Sequence, residues 1–389
     1  MNDVNISNDI IYIGADDKDI DLFEGQYIVP NGISYNSYLI KDEKNVVMDT
    51  VDKRKSEEWL NNLEYVLNGE ELDYLVISHL EPDHSYNIGI LAEKYPEMKL
   101  VGNAKTFAFL PQFFDIENLE ARKVLVEEGS KLNIGKHTLQ FFMAPMVHWP
   151  EVMVTYEQAE KILFTADGFG KFGTLDTEED WDCEARRYYF NIVGKYGVQV
   201  QALLKKVANL DIKMICPLHG PILKENLGHY INKYDIWSSY KPEDDGVFIA
   251  YASIHGNTAE AAKALVKILE EKGAKKVSIA DLSRDDMAEA VEDAFRYDKL
   301  ILAAPSYDAK VFTPMEQFLN ILISKNYQKR KVGIIENGTW APTAARCMKE
   351  YLEKMKDIDI CDTIVTIKTT VKAETLEKMK LLSEEILKC

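Results

Sequence analysis

Short runs of apolar residues, separated by polar clusters and amphipathic stretches, characterise the first 243 residues. The runs that we assign as strands cover residues 26–29, 37–40, 45–48, 74–77, 139–142, 152–156 and 161–164. Runs of this length with polar ends are typical of buried strands, and the close spacing of the early runs is typical of hairpins. The pattern therefore predicts stacked sheets with helices outside them.

The pattern changes at residues 241–246, where proline, glycine and a cluster of charges predict a linker. Beyond it, strand-like runs at residues 247–251, 277–280, 300–304 and 331–335 alternate with helical patterns such as those at residues 258–271 and 285–295. Strict alternation of strands and helices is typical of a doubly wound parallel sheet. We therefore predict two domains, residues 1–243 and residues 244–389.

Composition and charge narrow the class of protein. The chain of 389 residues carries 46 basic and 64 acidic side chains, a formal net charge of −18, which disfavours nucleic acid as a partner. No stretch approaches the roughly 20 apolar residues of a membrane helix, and the first residues do not resemble a signal peptide. The five cysteines form no CxxC pair, so we expect a cytoplasmic protein without a disulfide framework or a built-in rubredoxin module.

The most informative string follows the apolar run at residues 74–77. It contains the metal-capable side chains His79, Glu81, Asp83 and His84. On an extended loop, alternation would direct the first three to one side, and neighbouring ligands could serve two metal ions. Imidazole mixed with carboxylate suits iron, manganese or zinc. The alternative is a polar loop in which Asp83 or Ser85 caps the next helix.

Further candidate ligands stand at the ends of later apolar runs. They are His148, Asp167 and His219, and ligands at several strand ends would be held rigidly. Taken singly, each has a structural alternative: a lone histidine is more often a core or surface residue, and an aspartate before glycine is usually a turn residue. The conjunction in this order favours a metal site.

The second predicted domain contains a candidate phosphate site. The loop Ser253-Ile254-His255-Gly256-Asn257-Thr258 follows a strand and opens a helix, so backbone amides and the helix dipole could hold a phosphate. The loop has no lysine, unlike the P-loop that binds nucleoside triphosphates, and a monophosphate such as that of FMN fits better. An ordinary capped helix is the alternative.

Two later loops follow the strands at residues 300–304 and 331–335. Their candidate flavin-binding residues are Pro305, Ser306, Tyr307 and Asp308 in the first loop, and Asn337, Gly338, Thr339 and Trp340 in the second. In a doubly wound sheet such loops border the ligand crevice. Tyr307 and Trp340 could flank the isoalloxazine ring, although a loop tryptophan is otherwise usually a lid over a core.

The ligand order resembles that of the metallo-β-lactamase fold, whose hydrolases typically carry His-x-His-x-Asp-His. This chain has Glu81 where those enzymes have the second histidine. With Asp83 and Asp167, it makes a carboxylate-rich set that suits two iron ions better than zinc.

The strings around residues 79–84, 148–150 and 166–170 resemble the flavodiiron proteins, or A-type flavoproteins, which include rubredoxin:oxygen oxidoreductase-like members. The resemblance implies a metallo-β-lactamase-like αββα sandwich followed by a flavodoxin-like doubly wound parallel sheet. It implies that His79, Glu81 and His148 bind one iron, that Asp83, His84 and His219 bind the other, and that Asp167 bridges them. His79, Glu81, Asp83 and Asp167 would then be catalytic. His84 does not always coordinate within the family, and His137 and His229 match no motif, so we interpret these two as structural or surface residues.

The resemblance also implies a function and partners. FMN would pass electrons to the di-iron site, which would reduce dioxygen to water or, alternatively, nitric oxide to nitrous oxide. A separate rubredoxin-like donor would supply electrons to a head-to-tail homodimer, with a dimer of dimers left open, and Glu81 and Trp340 would lie near the flavin–metal junction. Two departures, Ala304-Pro305-Ser306 for Ser-Pro-Thr and Thr339-Trp340 for Gly-Trp, affect the flavin contacts. The competing hypotheses are a zinc hydrolase fused to a flavodoxin-like domain and a non-catalytic electron carrier.

Overall fold

Two facing sheets organise the first part of the chain. The computed structural model describes residues 4–388; Met1 to Asp3 of the N-terminal segment considered above, and Cys389, lie outside the described residues. The strands of this part are β1 Ile10–Tyr12, β2 Ala15–Asp17, β3 Leu22–Phe23, β4 Tyr27–Ile28, β5 Ile33–Tyr35, β6 Tyr38–Ile40, β7 Val46–Met48, β8 Tyr74–Val76, β9 Lys99–Gly102, β10 Lys123–Leu125, β11 Lys131–Asn133, β12 Thr138–Met143, β13 Met153–Glu157, β14 Ile162–Phe164 and β15 Met214–Cys216.

The first sheet has the strand order β1-β6-β7-β8-β9-β10, and the second has the order β11-β12-β13-β14-β15. Buried side chains of both sheets form one core, in which Met48, Val76 and Val101 of the first sheet join Phe141 and Phe164 of the second. This burial of one face of each sheet against the other agrees with the predicted stacked sheets. The run predicted at residues 26–29 differs: only Tyr27–Ile28 is a strand, and it pairs with Leu22–Phe23 in a separate two-stranded ribbon.

The helices of this part connect the strands. They are α1 Ser56–Leu67, α2 Pro82–Ser85, α3 Ile88–Lys94, α4 Ala104–Phe109, α5 Leu119–Arg122, α6 Trp181–Tyr188, α7 Gly197–Val207 and α8 Leu227–Ser238. The helix that matters most for the site is α2. Pro82 occupies its first turn, where a proline fits without loss of a hydrogen bond.

A parallel sheet organises the second part. Its strands are β16 Asp244–Tyr251, β17 Val277–Asp281, β18 Tyr297–Tyr307, β19 Lys310–Val311, β20 Gln328–Asn337 and β21 Lys356–Ile367, and its helices are α9 Asn257–Glu271, α10 Met287–Arg296, α11 Thr313–Ser324, α12 Ala344–Leu352 and α13 Ala373–Ile386. The parallel strands follow the order β17-β16-β18-β20-β21, and β19 pairs antiparallel with β18. This is the flavodoxin-like order, in which ligands bind at the carboxyl ends of the strands.

The predicted linker is shorter than residues 241–246, because β16 already begins at Asp244. The charges that suggested a solvated linker are paired: Asp244 binds Lys276 and Arg296, and Asp245 binds Lys275 and Lys299. A cluster of acidic residues next to proline and glycine therefore begins a strand here.

Contacts between residues divide the chain into two units. The first comprises Met1–Tyr189 and Val198–Asp235, and the second comprises Phe190–Gly197 and Ile236–Cys389. Phe190 belongs to the second unit, where its ring stacks on Phe295 with centroids 4.2 Å apart. The domain boundary between residues 243 and 244 stays a prediction. Within residues 4–388, no helix is both long enough and apolar enough to cross a bilayer.

The buried hydrogen bonds of Arg330 are expected to stabilise the second unit. It is 2% exposed; its Nε donates to the carbonyl of Tyr297 at 2.8 Å, its Nη1 donates to that of Tyr240 at 2.9 Å, and its Nη2 donates to that of Phe295. Arg330→Met would leave these buried carbonyls without their donor, so we expect the free energy of unfolding to fall by about 3 kcal/mol. Urea unfolding followed by circular dichroism measures the change.

Arg346→Met is the matched control, since Arg346 is exposed and, among the described residues, forms an ion pair with Glu350 alone, one turn along its helix. We expect a change within about 0.5 kcal/mol for the control. Equal unfolding midpoints for the two variants would contradict the role of Arg330.

Candidate metal centre and flavin site

The string of metal-capable residues begins directly after β8 and ends inside α2. His79 and Glu81 lie in the loop, whereas Asp83 and His84 lie in the helical turn that starts at Pro82. The chain therefore does not stay extended, and the expected grouping of Asp83 with His79 and Glu81 on one side is wrong. The start of the helix instead separates Asp83 and His84 from His79 and Glu81.

The first cluster consists of His79, Glu81, His148 and Asp167, whose potential ligand atoms all lie within 4.8 Å of one another. Oε2 of Glu81 lies 2.9 Å from Nε2 of His148 and 3.2 Å from Nε2 of His79. Oδ2 of Asp167 lies 3.3 Å from the same nitrogen of His79. All four side chains thus converge on one small volume.

The second cluster consists of Asp83, His84 and His219. The two Nε2 atoms of its histidines lie 3.0 Å apart, and Oδ2 of Asp83 lies 3.3 Å from each of them. Asp167 joins the two clusters, because its Oδ1 lies 3.2 Å from Nε2 of His84 while its Oδ2 faces the first cluster.

The donor set fits metal ions. Both carboxylate oxygens of Asp83 and of Asp167 are buried and accept no hydrogen bond from any described residue. Burial opposes charge on His84, but Asp83 and Asp167 raise the pKa of His84 to about 9. Burial likewise opposes ionisation of Glu81, but His148 and His79 lower the pKa of Glu81 to about 2. The carboxylates of the two clusters thus stabilise positive charge on the neighbouring histidines. Bound metal ions would supply this positive charge in place of the imidazole protons.

The candidate flavin residues surround one cavity of about 460 Å³ in the second unit. Of the predicted residues, it is lined by Ser253, His255, Asn257, Thr258, Pro305, Ser306, Tyr307, Asp308, Asn337, Gly338, Thr339 and Trp340. Gly256 does not line it; this glycine precedes α9 with φ 92°, a conformation that favours glycine. Ile254, Ala309, Ala341, Thr343 and Thr369 also line the cavity, and the motifs gave no signal for Thr343 and Thr369, which lie beyond the quoted loops.

Asn337 connects the loops that form the cavity. Its Nδ2 donates to Oγ1 of Thr258 at 3.3 Å and to the carbonyl of Thr369 at 3.0 Å. Trp340 is 90% exposed, so it does not cover a core as the alternative interpretation required, and Tyr307 is 48% exposed. Two exposed aromatic rings beside a cavity of this size suit a planar, partly apolar ligand.

Comparisons with known proteins agree with this arrangement. Residues 33–220 match the family model described as ODP family beta lactamase, and residues 248–365 match that of the flavodoxin domain. The chain is 31% identical over 384 residues to an uncharacterized protein of Methanocaldococcus jannaschii, covering 96% of this chain and 95% of that protein. It is 29% identical over 350 residues to the anaerobic nitric oxide reductase flavorubredoxin of Aliivibrio fischeri, covering 87% of this chain and 70% of that protein.

The chain belongs to the flavodiiron protein family. The predicted fold class, a metallo-β-lactamase-like domain followed by a flavodoxin-like domain, is confirmed. Among solved structures, the rubredoxin oxygen:oxidoreductase of Desulfovibrio gigas shares the fold with a TM-score of 0.91 at 24% identity, covering 98% of this chain and 97% of that chain.

In this flavodiiron protein, residues beyond the motifs orient the candidate ligands. Oε1 of the buried Glu151 accepts hydrogen bonds from Nδ1 of His79 at 2.9 Å and from the amide of Leu80 at 3.0 Å. Nδ1 of His219 donates to the carbonyl of Ser34 at 2.8 Å. These bonds leave Nε2 of each histidine free to face its cluster. Glu151 was missed, although a carboxylate directly after His148-Trp149-Pro150 was a signal in the sequence.

The two remaining histidines of the first unit lie outside both clusters. Nδ1 of the buried His137 contacts Oε1 of Glu157 at 3.0 Å, and its Nε2 contacts Asp9 at 3.4 Å. His229 contacts Asp182 at 2.6 Å. Together with Glu160, His137 and Asp9 form a third group of metal-capable atoms. The ammonium of Lys136 already binds Asp9 there, so an ion pair offsets part of the negative charge of this group.

We expect Glu151→Ala to weaken the affinity of the first cluster for ferrous iron by about 10- to 100-fold, because His79 would lose the partner that fixes its tautomer. Anaerobic titration followed by metal analysis measures the affinity. Glu151→Asp, which keeps the carboxylate, should restore part of it. Glu157→Ala is the matched control, since Glu157 orients His137 rather than His79. Equal losses in both alanine variants would contradict the positioning role of Glu151.

Proposed function

We propose that this chain is an FMN- and di-iron-dependent reductase of dioxygen, with reduction of nitric oxide to nitrous oxide at the same site as the alternative. The observation that carries the proposal is the position of Asp167, one carboxylate whose oxygens face two separate clusters of histidine and carboxylate ligands. When bound, FMN and the iron pair would supply the redox chemistry, and the protein would supply geometry and polarity.

We assign one iron to His79, Glu81 and His148 and the other to Asp83, His84 and His219, with Asp167 between them. The grouping is supported by the two clusters of converging ligand atoms. Nε2 of His84 faces Asp83 and Asp167, which supports its inclusion despite the variable role of this position in the family. These residues would bind the metals and orient their open positions.

Iron rather than zinc is supported by the charge of the site. Glu81, Asp83 and Asp167 would neutralise most of the charge of two ferrous ions, and their oxygen donors would help stabilise the ferric state. A zinc hydrolase would not require the flavodoxin domain that follows. The resemblance to the flavodiiron proteins supports dioxygen as the substrate, whereas the nitric oxide reductase among the relatives supports the alternative.

We propose that FMN lies in the cavity of the second unit, with its phosphate at the start of α9 and its ring near Tyr307 and Trp340. Support comes from the cavity volume of about 460 Å³ and from the backbone amides of the surrounding loops. The predicted contacts of Ser253, Gly256, Asn257 and the later loops remain part of this proposal.

The site hypothesis predicts a specific loss in variants of the metal ligands. Anaerobically reduced protein loaded with iron and FMN should be reoxidised by dioxygen or by nitric oxide when each gas is offered in parallel. Glu81→Ala and Asp167→Ala should each lower the rate of gas consumption by at least about 100-fold, because each removes a carboxylate from the metal clusters. Flavin absorbance should remain, since the flavin residues lie in the other unit.

Asp182→Ala is the control for these variants, because Asp182 pairs with His229 outside both clusters and should leave turnover unchanged. Turnover that survived in both ligand variants would contradict the di-iron proposal. Hydrolase activity with bound zinc, and no gas consumption with iron, would favour the zinc hydrolase instead.

The electron donor and the assembly form one further proposal. We propose that a separate rubredoxin-like protein reduces the flavin, supported by a flavorubredoxin among the relatives. We also propose a head-to-tail homodimer that brings the flavin of one copy towards the iron site of the other. Sedimentation and rubredoxin-driven turnover test both parts. Full turnover by a monomer would contradict the proposed homodimer. Failure of reduced rubredoxin to reduce the flavin would contradict the proposed electron donor.

We propose a cytoplasmic location. It is supported by the buried free thiols of Cys216, Cys347 and Cys361, since cysteines of secreted proteins are commonly paired in disulfides. Recovery of the protein from a membrane or secreted fraction after cell fractionation would contradict it.

A further inference from the structure

The flavin cavity is poor in positive charge. Among residues 4–388, no lysine or arginine lines it, and His255 is the one lining side chain that can become a cation. Asp308 supplies the one carboxylate that the described residues place in the lining. The whole chain carries a net charge of −18, so its average field also repels an anion.

A flavin monophosphate would bring a strong negative charge into this cavity. A phosphate monoester carries a charge of about −1.5 to −2 near pH 7, whereas a helix N-terminus offers the equivalent of roughly +0.5. The start of α9 is suited to an anion, since its N-cap, Gly256, has no side chain to cap the first amides. The helix alone nevertheless balances only part of the phosphate charge.

His255 lies directly before that N-cap. The residue is exposed and lines the cavity, and the backbone turns sharply after it at Gly256, where φ is 92°. The amide of Gly256 donates to Oγ of Ser253 at 3.1 Å, which holds the loop in this turn. His255 and the uncapped start of α9 therefore border the same end of the cavity.

We propose that His255 is a charge partner of the cofactor phosphate, so that this chain binds FMN more tightly when the imidazole is protonated. This inference rests on the proposed FMN cofactor. It assigns to one side chain the recognition of the phosphate dianion, a role that lysine or arginine would usually fill.

The direction of the pH dependence follows from linkage. An anion beside an imidazole favours the protonated form, so the complex binds more protons than the apoprotein, and affinity falls as pH rises through the range in which imidazoles titrate. Among the described residues, the other titratable groups that line the cavity are Tyr307 at the end of β18 and Asp308 in the turn that follows it. The phosphate is largely dianionic between pH 6.5 and 8.5.

Flavin titrations of the apoprotein test the proposal without reference to turnover. Fluorescence quenching should give an FMN dissociation constant that rises about three- to tenfold between pH 6.5 and 8.5. His255→Asn should bind FMN weakly at all pH values, with little pH dependence. His255→Lys should bind tightly and also without pH dependence, since its charge does not titrate in this range. Riboflavin, which lacks the phosphate, should not distinguish the three proteins.

His229→Asn is the matched control, because His229 is a partly exposed histidine of the other unit that pairs with Asp182. It should keep the pH dependence of the unaltered protein. FMN affinity that is flat with pH, or equal in the unaltered protein and His255→Asn, would overturn the role of His255 while leaving the cofactor in place. No FMN binding by the unaltered apoprotein would overturn both this inference and the proposed function.

Discussion

The first unit is built around the buried carboxylate of Asp167. It is 1% exposed, and imidazole nitrogens surround it: Nε2 of His79 and Nε2 of His84 lie within 3.3 Å of its two oxygens. A buried carboxylate is costly unless cations or hydrogen-bond donors compensate it. The histidines beside it lower the pKa of Asp167, although burial opposes this. The four candidate histidine ligands, His79, His84, His148 and His219, are therefore arranged around a charge that needs compensation from two sides.

The sheets supply the rigidity that such an arrangement requires. His79 follows β8, Asp167 follows β14 and His219 follows β15, so each stands within a few residues of a paired strand end. The backbone directly before His79 is held as well: the carboxylate of Asp49 accepts from the amide of Ser78 at 2.7 Å. Ligands fixed in this way need little reorganisation to bind a metal. Rigidity at the strand ends thus explains how a single carboxylate can serve both clusters.

The sequence predicted candidate ligands where a metal-capable residue stands at the end of an apolar run. His148, Asp167 and His219 were predicted because each ends an apolar run, and the structure places all three in the clusters. The sequence was less informative about partners that act through tertiary contacts. Glu151 reaches His79 only because the fold brings residues 72 positions apart together. The predicted linker was too long for a similar reason, since the cations that pair with Asp244 come from later elements.

One local feature decides that there are two clusters rather than one. An extended string would present His79, Glu81 and Asp83 on the same side, but Pro82 begins a helical turn and is suited to that position by its fixed φ. The turn brings His84 towards His219 and leaves Glu81 with His148. The six-residue string therefore supplies ligands to both clusters because its centre changes from loop to helix at Pro82. A string that stayed extended would not divide its ligands in this way.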